Sequence, residues 1–123
     1  GMKPCNVISK NAYVGKSVKF GSGIFIGNGC IVGGLAEVGD NCILNTGCQI
    51  SHEVKIGDHS QLAPISAIGG KSVLGSNVFV GIGGIIIDTI EVCKDVKIGA
   101  NSTVISDINI PGTYVGSPIR KVK

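Results

Sequence analysis

An unbroken six-residue period constrains this chain more than any other feature. Every sixth residue from Ile8 is apolar, through Val14, Phe20, Ile26 and onward to Val104 and Ile110, with no interruption. The residue that follows is often glycine, as at Gly15, Gly33, Gly57, Gly69 and Gly99, and the residue two before is small or branched, as at Cys30, Ala36, Cys42, Cys48, Ser60, Ser66 and Ser72. Period-two alternation turns both the aliphatic and the small residue inward, and the glycine is expected to permit a corner conformation that other residues resist. Each hexad therefore reads as a short strand plus a corner.

Three hexads close one triangular coil, so residues eighteen apart should stack at the parallel-strand spacing of about 4.8 Å, and nearly six coils make a prism about 28 Å tall. Composition agrees with an all-β fold of this kind: 43% of residues are hydrophobic but only 4% aromatic, and there are 20 glycines. Such a core is filled by branched aliphatics. We expect one domain over residues 2–123, with 111–123 as a C-terminal extension and Gly1, ahead of Met2, as a remnant of tag removal.

The residue before each inward aliphatic faces outward, which gives three columns. Lys19, Glu37, Lys55, Val73, Glu91 and Asn109 form a charged face expected in water. Val7, Phe25, Ile43, Gln61, Phe79 and Lys97 form an apolar stripe of the sort that marks a subunit interface. Tyr13, Ile31, Gln49, Ala67, Ile85 and Thr103 are uncharged and intermediate. One polar face and two poorer ones fit a cyclic trimer.

Several functions are set aside on composition. The net charge is +3 and the basic residues are scattered until the last four positions, so nucleic acid is not an expected partner. No 18-residue apolar run and no signal-peptide pattern is present, which excludes a membrane partner by helix and leads to an expected cytoplasmic location. Cys30 and Cys48 stack on adjacent coils within disulfide range, yet inward small positions favour reduced packing thiols.

Two histidines stand out. His59 shares a polar corner column with Asn41, Asn77 and Asp95 and reads as a solvated corner residue. His52 lies in Ser51-His52-Glu53, with Gly34 and Gly70 as its stacked neighbours, so its imidazole projects into a space kept free of side chains. Glu53 can orient one ring nitrogen and leave the other as a proton acceptor; the alternative is that Glu53 pairs with Lys71, one coil away.

These residues carry a resemblance. The six-residue pattern is similar to that of the hexapeptide-repeat proteins, which implies a left-handed parallel β-helix. Asn45, Ser51-His52-Glu53-Val54, Ile56-Gly57-Asp58, Ala63-Pro64 and Gly70 resemble the sialic acid O-acetyltransferase and bacillosamine-pathway sugar N-acetyltransferase branch of the hexapeptide acyltransferases. Ile110-Pro111-Gly112 and Val115-Gly116-Ser117-Pro118-Ile119-Arg120 resemble its closing segment. The resemblance implies His52 as general base, Glu53 as the acid that raises its basicity, and the Gly70 amide as the donor that meets the acetyl-CoA thioester carbonyl. It further implies Asn45 on the acceptor side, amides near Ile82 and Ala100 along the acetyl-CoA path, and Arg120, Lys121 and Lys123 as candidates for its phosphates.

Two departures are visible. Gln61 stands where many members have a second histidine that contacts acetyl-CoA, so the resemblance implies Gln61 in the acetyl-CoA site, where glutamine donates a hydrogen bond without sharing protonation. The N-terminal nucleotide-sugar-binding domain of larger members is not in this sequence. Zinc-dependent carbonic anhydrases share the fold but need three histidines, so no metal is expected. The sequence reading is thus an acetyl-CoA-dependent acyltransferase acting on a sugar hydroxyl or amine, with a non-catalytic β-helix scaffold as its rival.

Overall fold

A computed structural model describes residues 4–123. The expected remnant at Gly1 and the domain start at Met2 lie outside the described residues. The chain winds as a left-handed parallel β-helix of about six turns, with no helix among the described residues. Its two-residue strands fall into an eight-stranded, a six-stranded and a five-stranded sheet, which are the three faces of the prism. Parallel partners lie eighteen residues apart, for example Val7 with Phe25, Gln49 with Ala67 and Lys55 with Val73. The eight-stranded sheet carries the Val7-to-Lys97 column, the six-stranded sheet the Tyr13-to-Thr103 column, and the five-stranded sheet the Lys19-to-Glu91 column.

The inward aliphatics from Ile26 to Val104 are buried in a single core. Full burial of a side chain of this size contributes about 1.5–3 kcal/mol over leaving it in water. Small inward residues have a second task. Ser72 Oγ donates to the Ile87 carbonyl at 2.8 Å and accepts the Ile90 amide at 3.0 Å, and Ser60 does the same with Gly75 and Val78. In the N-terminal coils thiols take over the donor role, with Cys30 Sγ 2.8 Å from the Asn45 carbonyl and Cys42 Sγ 3.2 Å from that of Gly57. All five cysteines are free, and the Cys30 and Cys48 sulfurs are 3.5 Å apart.

Two expectations are corrected. The glycines after the inward aliphatics are not the residues with unusual backbone angles. Positive φ recurs two residues later instead, at Ser17, Leu35, Glu53, Lys71 and Thr89 on one corner, at Asn41, His59, Asn77 and Asp95 on another, and at Gly29, Gly47, Ile65, Gly83 and Asn101 on the third. The earlier glycines serve close stacking: a Cβ on Gly33 would lie 2.6 Å from the His52 amide nitrogen.

The second correction concerns the last turn. Val92 bridges to Ile108 and Ile98 pairs with Tyr114, both sixteen residues on, so the final coil is two residues short. Ile108 is buried in place of Ile110, which is 62% exposed. Ile8, at the opposite end, has no coil above it in the described residues and is also exposed. Residues Gly112–Gly116 then extend the eight-stranded sheet in parallel, and Ile119–Lys121 folds back antiparallel on them. Within the segment read as an extension, Gly112–Gly116 and Ile119–Lys121 thus end the eight-stranded sheet.

Candidate functional site

The corner between the six-stranded and five-stranded sheets carries Ser51-His52-Glu53, directly after the strand Gln49–Ile50. Ile50 anchors this corner in the core, and the Glu53 amide donates to the Gly34 carbonyl at 3.0 Å while the His52 carbonyl accepts from the Lys71 amide at 3.0 Å. Backbone contacts to the coils above and below thus fix the position from which the imidazole projects.

Glu53 Oε1 lies 3.3 Å from His52 Nδ1, and both side chains are substantially exposed. Glu53 forms no ion pair with Lys71. With the proton on Nδ1 directed at the carboxylate, Nε2 keeps its lone pair. That nitrogen lies over the next coil at Gly70, where a Cβ would fall 2.7 Å from it. The Gly70 carbonyl accepts from Thr89, whereas its N–H has no acceptor among the described residues. An unspent amide donor and an unspent imidazole nitrogen therefore sit together at one corner, beside a position that only glycine leaves open.

A second group forms on the corner between the eight-stranded and six-stranded sheets. Asn45, Gln61, Ile82 and Ala100 line one groove of about 430 Å³, together with Pro64 and Phe79. Asn45 Oδ1 accepts the Thr46 amide at 2.7 Å, which leaves its Nδ2 to donate outward. The N–H groups of Ile82 and Ala100 have no acceptor among the described residues, while their carbonyls are taken by Asn101 N and Ser102 Oγ. Two unspent amide donors thus belong to residues that line the groove in successive coils. Gln61 stacks between Ile43 and Phe79 at the groove wall. Phe79, read from the sequence as part of the apolar stripe, and Pro64, read as part of the Ala63-Pro64 motif, join the groove because they stack eighteen residues from Gln61 and from Ile82.

Arg120 and Lys121 lie in a third place, exposed on the terminal hairpin, bordering a hollow of about 350 Å³ with Asp107, Asn109 and Tyr114. His59 occupies the remaining corner, at a shallow pocket with Asn77, Phe79 and Lys97. Among the described residues no three His, Cys, Asp or Glu side chains form a metal-ligand group. No helix is long and apolar enough to cross a membrane. Within one chain, then, the histidine corner and the groove of free amides lie on the two opposite edges of the six-stranded sheet.

The comparisons with known proteins bear on this arrangement. No family model matches the chain. Over 77 residues, 63% of the chain, it is 34% identical to a UDP-3-O-acylglucosamine N-acyltransferase of Bordetella avium, 21% of whose length is matched. A UDP-3-O-acylglucosamine N-acyltransferase of Albidiferax ferrireducens is 27% identical over 84% of the chain and 31% of its own length. The solved structure of PerB from Caulobacter crescentus, in complex with CoA and GDP-perosamine, superposes with a TM-score of 0.98 at 28% identity, over 100% of this chain and 59% of that one. Variants of the Caulobacter enzyme with alanine or asparagine in place of one histidine are also solved with CoA and GDP-perosamine. The acetyltransferase domain of PglB from Neisseria gonorrhoeae shares the fold, with a TM-score of 0.97 at 23% identity over 99% of this chain and 60% of that one. The chain spans under two thirds of each of these proteins. Its resemblance is to hexapeptide-repeat sugar acetyltransferases, as the residues around His52 suggested.

Proposed function

We propose that this chain transfers an acetyl group from acetyl-CoA to an amine or hydroxyl of a sugar or nucleotide sugar. The observation that carries the reading is His52 Nε2 packed against Gly70, whose amide is unspent, with Glu53 Oε1 3.3 Å from the other ring nitrogen. Its similarity to a CoA- and GDP-perosamine-bound enzyme supports the donor and the acceptor class.

His52 takes the proton of the attacking amine or hydroxyl as its nitrogen or oxygen bonds to the thioester carbonyl carbon. Glu53 holds the tautomer and stabilises the imidazolium, as a positioning carboxylate does in other acyl-transfer sites. The Gly70 N–H donates to the developing oxyanion, an interaction whose loss typically raises a barrier by about 3 kcal/mol. The carbon–sulfur bond then breaks, and the CoA thiolate leaves with the proton returned from His52. No covalent enzyme intermediate and no metal take part.

The free amides of Ile82 and Ala100 suit the pantetheine carbonyls, with Gln61 beside them. Asn45 Nδ2 is assigned to the acceptor, and Arg120 and Lys121, with Lys123, to the phosphates of CoA. The two halves of the site come together in a homotrimer, in the cytoplasm where acetyl-CoA is made available. Thiol release from acetyl-CoA, followed with a thiol reagent against a panel of amino sugars, nucleotide sugars and sialic acid, tests the assignment. We expect turnover with one acceptor class and a loss of about 10²-fold to 10⁴-fold in His52→Ala; near-full turnover by that variant removes His52 as the base.

A further inference from the structure

Three aspartates hold the same place in the repeat. Asp40, Asp58 and Asp88 each stand second after an inward aliphatic, at Val38, Ile56 and Ile86, and each precedes a residue with left-handed backbone, at Asn41, His59 and Thr89. In two of them the side chain reaches back one coil. Asp40 Oδ1 accepts the Ser22 amide at 2.9 Å, and Asp58 Oδ1 accepts the Asp40 amide at 2.7 Å. Each carboxylate thus takes the N–H of the residue eighteen positions before it, an amide that has no backbone acceptor among the described residues. The residue before each donor is glycine, and a Cβ on Gly21 or Gly39 would overlap the accepting oxygen.

Asp88 has the same surroundings and does not use them. Eighteen positions before it stands Gly70, whose amide is unspent. Gly69 precedes this donor, and Lys71 follows it with φ 62°, as Asn41 follows Asp40 with φ 57°. Donor and acceptor corners therefore match those of the two closed pairs. Yet the Asp88 carboxylate is exposed and, among the described residues, accepts no hydrogen bond and enters no ion pair; only the backbone carbonyl accepts, from Thr89 Oγ1. The atoms nearest a Cβ on Gly69 belong to the backbone of Ile87 and Asp88, so this carboxylate is turned away from the place its counterparts take over Gly21 and Gly39. No other member of the corner column, Lys16, Gly34, His52 or Gly70, carries a carboxylate.

We propose that Asp88 is a resident acceptor for the Gly70 amide, a positioning residue whose carboxylate closes on that N–H when no acyl group is bound and yields it to the thioester carbonyl. This rests on the reading of Gly70 as the donor to that carbonyl. Closing needs only a change of side-chain rotamer, and a charged acceptor makes a stronger bond than a neutral one. The thioester oxygen is neutral and must displace the carboxylate, so the contact subtracts from the affinity for acetyl-CoA. Free CoA carries a thiol in place of the acyl group, a weak acceptor that leaves the contact intact. Asp88 thereby narrows the preference for acetyl-CoA over CoA, and the released product inhibits at a lower ratio to the donor.

Amide hydrogen exchange of the isotope-labelled full chain, read by NMR, tests the contact without any ligand. Ser22 and Asp40 report the two closed pairs in the same sample. We expect Gly70 to be protected in the parent and to exchange at least about tenfold faster in Asp88→Ala, as for loss of a hydrogen bond to a charged group, with Ser22 and Asp40 unchanged. Asp88→Asn keeps an accepting oxygen without the charge and should retain part of the protection. By calorimetry, the acetyl-CoA dissociation constant should fall about threefold to tenfold in Asp88→Ala while that of CoA stays, a split that a changed charge near the phosphates would not produce. Equal Gly70 exchange in the parent and Asp88→Ala, exchange in Asp88→Asn as fast as in Asp88→Ala, or affinities for the two ligands that change in step overturns the proposal. Protection of Gly70 by Asp88 in a chain that neither binds acetyl-CoA nor releases thiol sinks the acyl-transfer reading. Turnover that depends on His52, with Gly70 unprotected, sinks this proposal alone.

Discussion

His52 Nε2 and Gly70 are stacked so closely that the smallest side chain at residue 70 would stand 2.7 Å from the ring nitrogen. Gly70 has no positive φ, so alanine is compatible with its backbone, and the substitution acts on the imidazole. Gly70→Ala is expected to leave thermal unfolding nearly unchanged and to lower acetyl-transfer turnover by about a hundredfold, the scale of a reacting group displaced by an ångström. Thiol release beside a melting curve reads both; parent-like turnover contradicts the proximity argument.

The separation of the two half-sites on one chain makes a mixing experiment decisive. His52→Ala removes the proposed base, and Ala100→Trp fills the groove on the opposite edge. Neither is expected to turn over alone, but co-expression of equal amounts should restore roughly a quarter of the parent rate, since one contact in four then joins an intact edge to an intact edge. A site contained within a single copy would recover nothing.

Ser72 is fully buried and its hydroxyl serves the Ile87 carbonyl and the Ile90 amide together. Ser72→Ala leaves both without that partner, and each unsatisfied buried group costs about 1–3 kcal/mol. A denaturant midpoint lowered accordingly, with an unchanged slope, is the expected result; an unchanged midpoint means the corner finds other partners.

Thiol reactivity should divide the cysteines by position. Burial pushes the Cys48 thiol well up, with Cys30 beside it adding to the effect, and burial likewise raises Cys42. The thiolate is the reacting species, so these groups are protected both by access and by protonation. At pH 8 the native protein should react quickly only at Cys5, which is exposed, and more slowly at Cys93, with Cys30, Cys42 and Cys48 responding after unfolding. Peptide mapping of the labelled sites checks this.

The regularity that made most of the fold legible also hid its exception. Stacking by eighteen follows from the inward aliphatics because each coil must present the next with a matching apolar layer. At Ile108-Asn109-Ile110 the sequence offers two aliphatics of the same inward parity, and period-two alternation cannot choose between them. The short last coil selects Ile108. The proximity of His52 to Gly70 was legible because a corner column is a spatial neighbourhood in this fold. Glu53 as the partner of His52 rather than of Lys71 was not, since it depends on side-chain torsions that spacing leaves open. Leu35 and Ile65 were passed over for a related reason: an apolar residue in a corner looks ordinary until its backbone angle is known.

A parallel coil is a template at both ends, for its final strand offers the same row of unpaired backbone groups that built every strand before it. In this chain Ile119–Lys121 runs back against Gly112–Gly116, and its direction is opposite to every other strand in the sheet. The reversal spends the edge on a partner of the wrong polarity and leaves Arg120 and Lys121 on the outside. On this sheet the C-terminal hairpin acts in this sense as a stop signal against end-to-end fibre growth.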